Sequence, residues 1–281
     1  MKLRIGGVPE HFNYLWQLPE TREFFRNAGF YYEWSDYPGG TGAMTEALLK
    51  KETDVAIMLT EGAIAAVAQG HPFAIRTPFV MSPLQWGVFG KNGRVKPWPD
   101  NFHTAVFAIS RYNSGSHLMA QFLAQREGLQ LSRDNFLVTQ NLQGAREALG
   151  REEADYFLWE KFMTRPLLHS GEFMQCDEIA APWPAFVFVT RKYEELPDWE
   201  AFAQACAQSI QNFITWPAQD LVYKLADAYH IAPDDVKDWL QEVKYYDGNH
   251  YWSDRLTAAV LIMHSKGMIE RMPSVAEMIG N

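Results

Sequence analysis

From the N-terminus to Thr190, short apolar runs alternate with stretches in which apolar side chains recur every three or four positions. The first pattern marks strands and the second helices. Residues 3–8 predict a first strand, and Val8-Pro9-Glu10-His11-Phe12 the turn at its carboxyl end. A helix over 14–27 follows, broken or restarted at Pro19, whose ring cannot sit in a helix interior. Residues 31–34 predict the second strand. The turn cluster Asp36-Tyr37-Pro38-Gly39-Gly40-Thr41-Gly42 feeds a helix over 43–51, and 54–59 is a third strand closed by Thr60-Glu61-Gly62, which opens a short helix. Residues 73–80 and 85–90 predict further strands, and the loop 91–99, rich in Gly, Pro and basic residues, a first crossing between domains.

The same grammar restarts near residue 102. Strand 104–109, turn Ser110-Arg111-Tyr112-Asn113-Ser114-Gly115-Ser116-His117, helix 118–127, strand 136–139, helix 143–149 and strand 155–159 follow one another, ending in the turn Glu160-Lys161. Pro182-Trp183-Pro184 and the apolar run 185–190 predict an extended return to the first domain. Helices are then expected over 199–215, 218–229, 233–243 and 254–265, punctuated by Pro217, Pro233 and Gly248. Alternation of this kind predicts an α/β protein of two lobes, with mixed, mostly parallel sheets flanked by helices. Lobe 1 takes residues 1–89 and 186–281, lobe 2 takes 90–185, and two crossing hinge segments join them beside a cleft. Ligands of open α/β sheets settle outside the carboxyl ends of the strands, so the turns at Glu10-His11, Gly40-Thr41, Thr60-Glu61, 110–117 and Trp159-Glu160 should converge on that cleft.

A strand that ends in Ser, Asn, Ser and Gly and then opens a helix sets backbone N–H groups beside hydroxyls at the positive end of a helix dipole. Ser110, Ser114, Gly115 and Ser116 are therefore candidates to hold an anion or carbonyl, with an ordinary helix cap as the alternative. Arg111 and His117 flank the turn and would add charge-assisted bonds; Arg111 reads equally as a solvated surface cation. Glu10, Glu61 and Glu160 occupy matching turn positions, and carboxylates there suit a ligand with N–H donors. A bifunctional molecule satisfies both halves. The alternative is that Glu61 caps its helix and Glu160 pairs with Lys161 or Arg165. His11 is a ligand contact or a hydrogen-bonded structural histidine. Phe12, Trp16, Trp159 and Trp183 stack on a flat ligand or fill lobe interiors.

Charge and composition narrow the function. The chain of 281 residues is 47% hydrophobic, and 34 acids against 25 bases give a formal charge of −9, which removes the basic footprint of nucleic-acid binding. Cys176 and Cys206, its two cysteines, lack CxxC spacing, so neither a structural metal nor a disulfide is expected. No apolar run reaches the ~18 to 20 residues of a membrane helix. The N-terminal apolar stretch runs straight into a turn in place of a signal peptide, which predicts a cytoplasmic location, or a periplasmic one if a signal has been removed.

Five segments in order resemble the type II periplasmic substrate-binding proteins of ABC transporters, in the branch for nitrate, alkanesulfonate, taurine and thiamine-pyrimidine uptake: residues 5–12, 38–44, 53–62, 108–119 and 141–164. Within the branch the chain is similar to a subgroup of bacterial and fungal proteins that often lack a secretion signal. The resemblance implies a monomeric, cofactor-free binding protein whose lobes close over one small molecule of sulfonate, amino-sulfonate or aminopyrimidine type, with an ABC permease as partner. The rival expectation is an intracellular enzyme on the same fold, of the menaquinone-pathway or thiamine-pyrimidine type; the second carries a cysteine-rich motif that two scattered cysteines do not supply.

Overall fold

The computed structural model describes residues 1–93, 102–192, 198–248 and 252–280. The chain divides into two compact units, Met1–Ser82 with Trp183–Asn281, and Pro83–Pro182. In chain order the first unit begins β1 (Lys2–Gly7), α1 (Pro19–Asn27), β2 (Tyr31–Asp36), α2 (Gly40–Leu49), β3 (Val55–Leu59), α3 (Thr60–Ala68) and β4 (Phe73–Val80). The second unit holds β5 (Gln85–Lys91), β6 (Phe107–Ile109), α4 (Gly115–Arg126), β7 (Phe136–Val138), α5 (Leu142–Gly150), β8 (Tyr156–Glu160), α6 (Arg165–His169) and β9 (Phe173–Ala180). The chain then re-enters the first unit with β10 (Phe186–Arg191), α7 (Trp199–Thr215), α8 (Ala218–Tyr229), α9 (Pro233–Glu242), α10 (Trp252–Ser265) and α11 (Val275–Ile279).

Each unit is built on one five-stranded sheet, ordered β2-β1-β3-β10-β4 in the first and β7-β6-β8-β5-β9 in the second. β1 pairs in parallel with β2 and β3, and β10 runs antiparallel to β3 and β4. The second sheet repeats this: β6 is parallel to β7 and β8, and β5 is antiparallel to β8 and β9. In both, the reversed strand is the first one laid down after the chain enters the unit. The mixed, mostly parallel α/β class expected from the alternation is the class observed.

Pro19 stands at the start of α1, where its missing N–H costs nothing, and a 3₁₀ turn over His11–Gln17 replaces the first half of the expected helix. Its apolar side chains form an aromatic core: Trp16 is fully enclosed, with Phe25 at 5.3 Å and Trp34 stacked at 5.8 Å. In the second unit Phe89, Ala108, Phe157 and Phe173 pack together with α5.

Residues 83–89 belong with the second unit, not with lobe 1 as the sequence boundary had it, because β5 hydrogen-bonds along its length to β8 and β9. The crossing expected in loop 91–99 moves accordingly to Ser82-Pro83; residues 94–99 of that loop lie outside the described residues. The return crossing falls at Pro182-Trp183. β9, α6 and α11 are additions to the elements expected from the sequence.

At the amino end of β3, Asp54 ties three segments of the first unit together. It accepts from the Arg4 backbone N–H at 2.9 Å, from Arg4 Nε at 3.0 Å and Nη2 at 2.6 Å, and from Arg191 Nη2 at 3.3 Å.

Candidate functional site

In the first unit the strand order reverses between β1 and β3, so the carboxyl ends of these strands flank the gap where α/β sheets hold ligands. β3 passes into α3 without a loop, and Thr60 and Glu61 are the first two helical residues. The Glu61 carboxyl is 1% exposed. Its Oε2 accepts from the Trp183 indole N–H at 2.8 Å, whereas Oε1 is enclosed with no hydrogen-bond partner among the described residues. The Thr60 and Thr41 hydroxyls share that condition.

Thr41 lies in the first turn of α2, and Gly62 brings the two helices together: a Cβ on Gly62 would lie 2.3 Å from Thr41 Cγ2. The first turns of α2 and α3 thus lie against each other at Thr41 and Gly62, and Thr41, Thr60 and Glu61 each hold a buried polar atom with no hydrogen-bond partner among the described residues. Each buried polar group left unpaired costs about 1–3 kcal/mol, so three together call for a partner from outside the chain. Burial pushes the Glu61 carboxyl up to about 7, against the lowering pull of its own backbone N–H and of Trp183.

The approach of α2 and α3 can be tested directly. Gly62→Ala should destabilise the protein by about 1–3 kcal/mol in urea unfolding, despite alanine's better helix propensity, because the new methyl overlaps Thr41. Adding Thr41→Ser, which removes Cγ2, should restore most of the loss; a double variant no more stable than the single would refute the contact.

Glu10, after β1, keeps part of its surface open, and burial holds its carboxyl up to about 7. Tyr229 on α8, which the sequence did not single out, joins it. Burial, then the charges of Asp36 and Glu10, push the Tyr229 phenol up, and its hydroxyl has no partner among the described residues. His11 and Phe12 face inward, which favours for each the structural alternative over the ligand contact. His11 is 2% exposed, its ring 4.3 Å from Trp239 and 4.5 Å from Phe12, and burial drives its imidazole down to about 3. Phe12 packs 5.2 Å from Phe186. Gly40 opens α2 with φ 61°. A separate groove of about 840 Å³ in this unit, lined by Phe202, Cys206, Ile210, Leu221 and Tyr245 among others, includes none of the residues proposed from the sequence as ligand contacts.

In the second unit the switch lies between β6 and β8. The turn after β6 is largely self-satisfied. Ser114 caps α4: its Oγ accepts from His117 N–H at 3.4 Å and donates to Arg111 O at 2.6 Å, while Ser116 Oγ lies 3.0 Å away and accepts from Ser110 N–H. Asn113, at φ 62°, donates its N–H to His117 Nδ1 at 3.0 Å. His117 is therefore a neutral acceptor, not a cation for the ligand. Burial drives it down to about 4, and its ring packs 4.6 Å from Phe136. The backbone N–H groups of Gly115 and Ser116 form no protein hydrogen bond among the described residues. They are what the turn has to give. Arg111 is half-buried, and burial lowers its affinity for the proton.

Glu160 ends β8, 3% exposed, and its Oε2 accepts from Met163 N–H at 2.7 Å. Lys161 pairs with Glu178 at 3.1 Å. Opposite Glu160 in the sheet stands Trp86, whose buried indole N–H has no partner among the described residues and which the sequence reading missed. Trp159 packs against the unit's core.

Comparison with known proteins bears on the fold. The family model for Ca3427-like PBP matches residues 90–179. A protein from Candida albicans, the CA3427 gene product, described as defining a new family with the generic periplasmic binding protein fold, superposes with TM-score 0.87 at 23% identity, over 98% of this chain and 93% of that one. The alkanesulfonate-binding protein SsuA of Xanthomonas axonopodis pv. citri, bound to MOPS, gives 0.80 at 14% identity over 99% and 96%. The periplasmic aliphatic sulphonate binding protein SsuA of Escherichia coli gives 0.74 at 14% over 100% and 92%. No curated protein matches the chain significantly. The chain has the periplasmic-binding-protein fold, and the resemblance to type II binding proteins, with sulfonate-binding proteins among its neighbours, is borne out. Among the described residues no helix is long and apolar enough to cross a membrane.

Proposed function

We propose that the protein is a solute-binding protein for a small, bifunctional organic ligand. The carrying observation is that Glu61 Oε1, Thr41 Oγ1 and Thr60 Oγ1, all on the first turns of the helices that flank the switch point of the first sheet, are buried without a hydrogen-bond partner among the described residues. Glu61 takes an N–H donor of the ligand and the two threonines complete that end. In the second unit the Gly115 and Ser116 N–H groups, with Arg111, take an acidic group such as a sulfonate. Amino-sulfonates and aminopyrimidines with a polar tail have this pairing of ends. Glu10, Glu160 and Trp183 line or support the contacts, and an ABC permease is the partner that receives the loaded protein. The sulfonate-binding structures similar to this chain support the reading.

A thermal-shift panel of taurine, alkanesulfonates, nitrate, bicarbonate, aminopyrimidines and thiamine tests it. A ligand at a hundred times its Kd adds about 2.7 kcal/mol to stability, so one bifunctional compound should stand clear of the simple anions. Arg111→Ala should then weaken that ligand at least tenfold, about 1.4 kcal/mol, in calorimetry. Equal responses to all anions would remove the bifunctional reading. The enzyme alternative rests on carboxyls held at about 7, suited to a general base; turnover of the bound compound, followed by NMR, would favour it.

A further inference from the structure

Glu61 is bonded to a residue far from it in sequence, and the location of that residue gives the bond its interest. Trp183 is where the chain re-enters the first unit. Its indole N–H holds Glu61 Oε2 at 2.8 Å, buried from water. Two residues on, Ala185 O accepts from the Thr60 N–H at 3.1 Å, so the first turn of α3 is fastened twice to the returning segment. Ala185 N–H in turn donates to Ser82 O at 3.1 Å, and Ser82 is the last residue before the chain leaves the unit. Both points of crossing are therefore hydrogen-bonded, through one short relay, to the helix turn that carries Glu61.

The indole also decides which carboxyl oxygen remains for a ligand. A carboxylate on a flexible stem has two equivalent oxygens; a buried donor on Oε2 breaks the equivalence and leaves Oε1, enclosed and without a partner among the described residues, as the acceptor still to be filled. The Trp183 ring is 1% exposed, so packing fixes the direction of the N–H.

We propose that Trp183 is the positioning residue of this site, setting the Glu61 carboxyl so that Oε1 meets the ligand and joining that contact to the two crossings of the chain. This rests on the solute-binding reading above. Without ligand, Trp183→Phe keeps a ring and removes only the N–H donor, and it identifies the Trp183 indole resonance by its loss. At pH 8 that wild-type resonance should lie downfield and move upfield in Glu61→Gln, where a neutral acceptor replaces a charged one. Amide exchange at Thr60 and Ala185 should quicken about tenfold in Trp183→Phe, while Ile57 and Val189, inside the sheet, stay unchanged. An indole resonance indifferent to Glu61→Gln, or unaltered exchange at Thr60 and Ala185, would overturn the proposal.

Taurine, as probe, separates the two readings. Binding to wild type with at least tenfold loss in Trp183→Phe supports positioning, and equal binding to both overturns it. Taurine bound by neither counts against the amino-sulfonate reading and leaves the decision on Trp183 to the resonance and the exchange rates.

Discussion

Glu61→Gln is expected to make the protein more stable at pH 7.5 by about 3 kcal/mol and to leave it unchanged at pH 4.5, while ligand affinity falls at least tenfold. Burial holds the native carboxyl at about 7, against an ordinary value of 4.5. Between these values the native state binds more protons than the unfolded one, so stability falls as pH rises, and the loss is complete above about 7. The separation of the two values corresponds to about 3 kcal/mol. Glutamine behaves as the protonated acid at every pH and never incurs that loss. His11 and His117, driven down to about 3 and about 4, act in the other direction and lose stability as pH falls. Glu10 acts with Glu61. The wild-type profile is thus a sum of opposing slopes, and the difference between variant and wild type isolates Glu61. Urea unfolding at pH 4.5, 5.5, 6.5 and 7.5 measures it; parallel profiles would show that the carboxyl titrates normally.

Strands bounded by turn residues were legible because their apolar runs are continuous, as in Val55-Ala-Ile-Met-Leu59. β9 was not, because Met174-Gln-Cys-Asp-Glu178 carries polar side chains on a half-buried edge strand, where no apolar face is required. Candidate residues at strand ends could be read from the position rule alone: Thr60 and Glu61 follow β3, and Thr41 opens α2. What they do there could not. The Glu61–Trp183 bond spans 122 positions in sequence, and no local pattern records it. His11 was left open in the sequence between a ligand contact and a structural histidine, and His117 was read as a ligand group, whereas their environments come from Trp239 and Phe136, brought up by distant elements. The turn 110–117 shows the same limit: its own groups bond within the turn, which leaves the Gly115 and Ser116 N–H groups. Trp86 and Tyr229 entered through tertiary placement, an indole across the sheet from Glu160 and a phenol near Glu10.

Asp54→Ala is expected to cost about 3–5 kcal/mol in stability and to leave ligand affinity within about twofold of wild type. Arg191 is 8% exposed, and its Nη1 donates to Leu48 O at 2.9 Å and Thr53 O at 2.5 Å. Asp54 and these carbonyls are among the groups that pair its charge in the fold, and removing the carboxylate takes an ion-pair partner from Arg191 and from Arg4 at once. Burial alone would raise the Asp54 carboxyl, but the hydrogen bonds and charge of Arg4, with Arg191, outweigh it and hold the group below its ordinary value. The sign is therefore opposite to that of Glu61: Asp54 contributes stability above its unfolded value of 3.8 and loses it in acid. Asp54→Asn, which keeps acceptor and volume, should cost less than alanine. Asp54 lies before β3 and Glu61 beyond its other end, about 17 Å of strand apart, so the clamp acts on the sheet and not on the site. Urea unfolding and calorimetry on one preparation separate the two effects. A matching fall in affinity would mean that the amino end of β3 sets the geometry at its carboxyl end, and the assignment of binding to the local group Thr41, Thr60 and Glu61 would have to be given up.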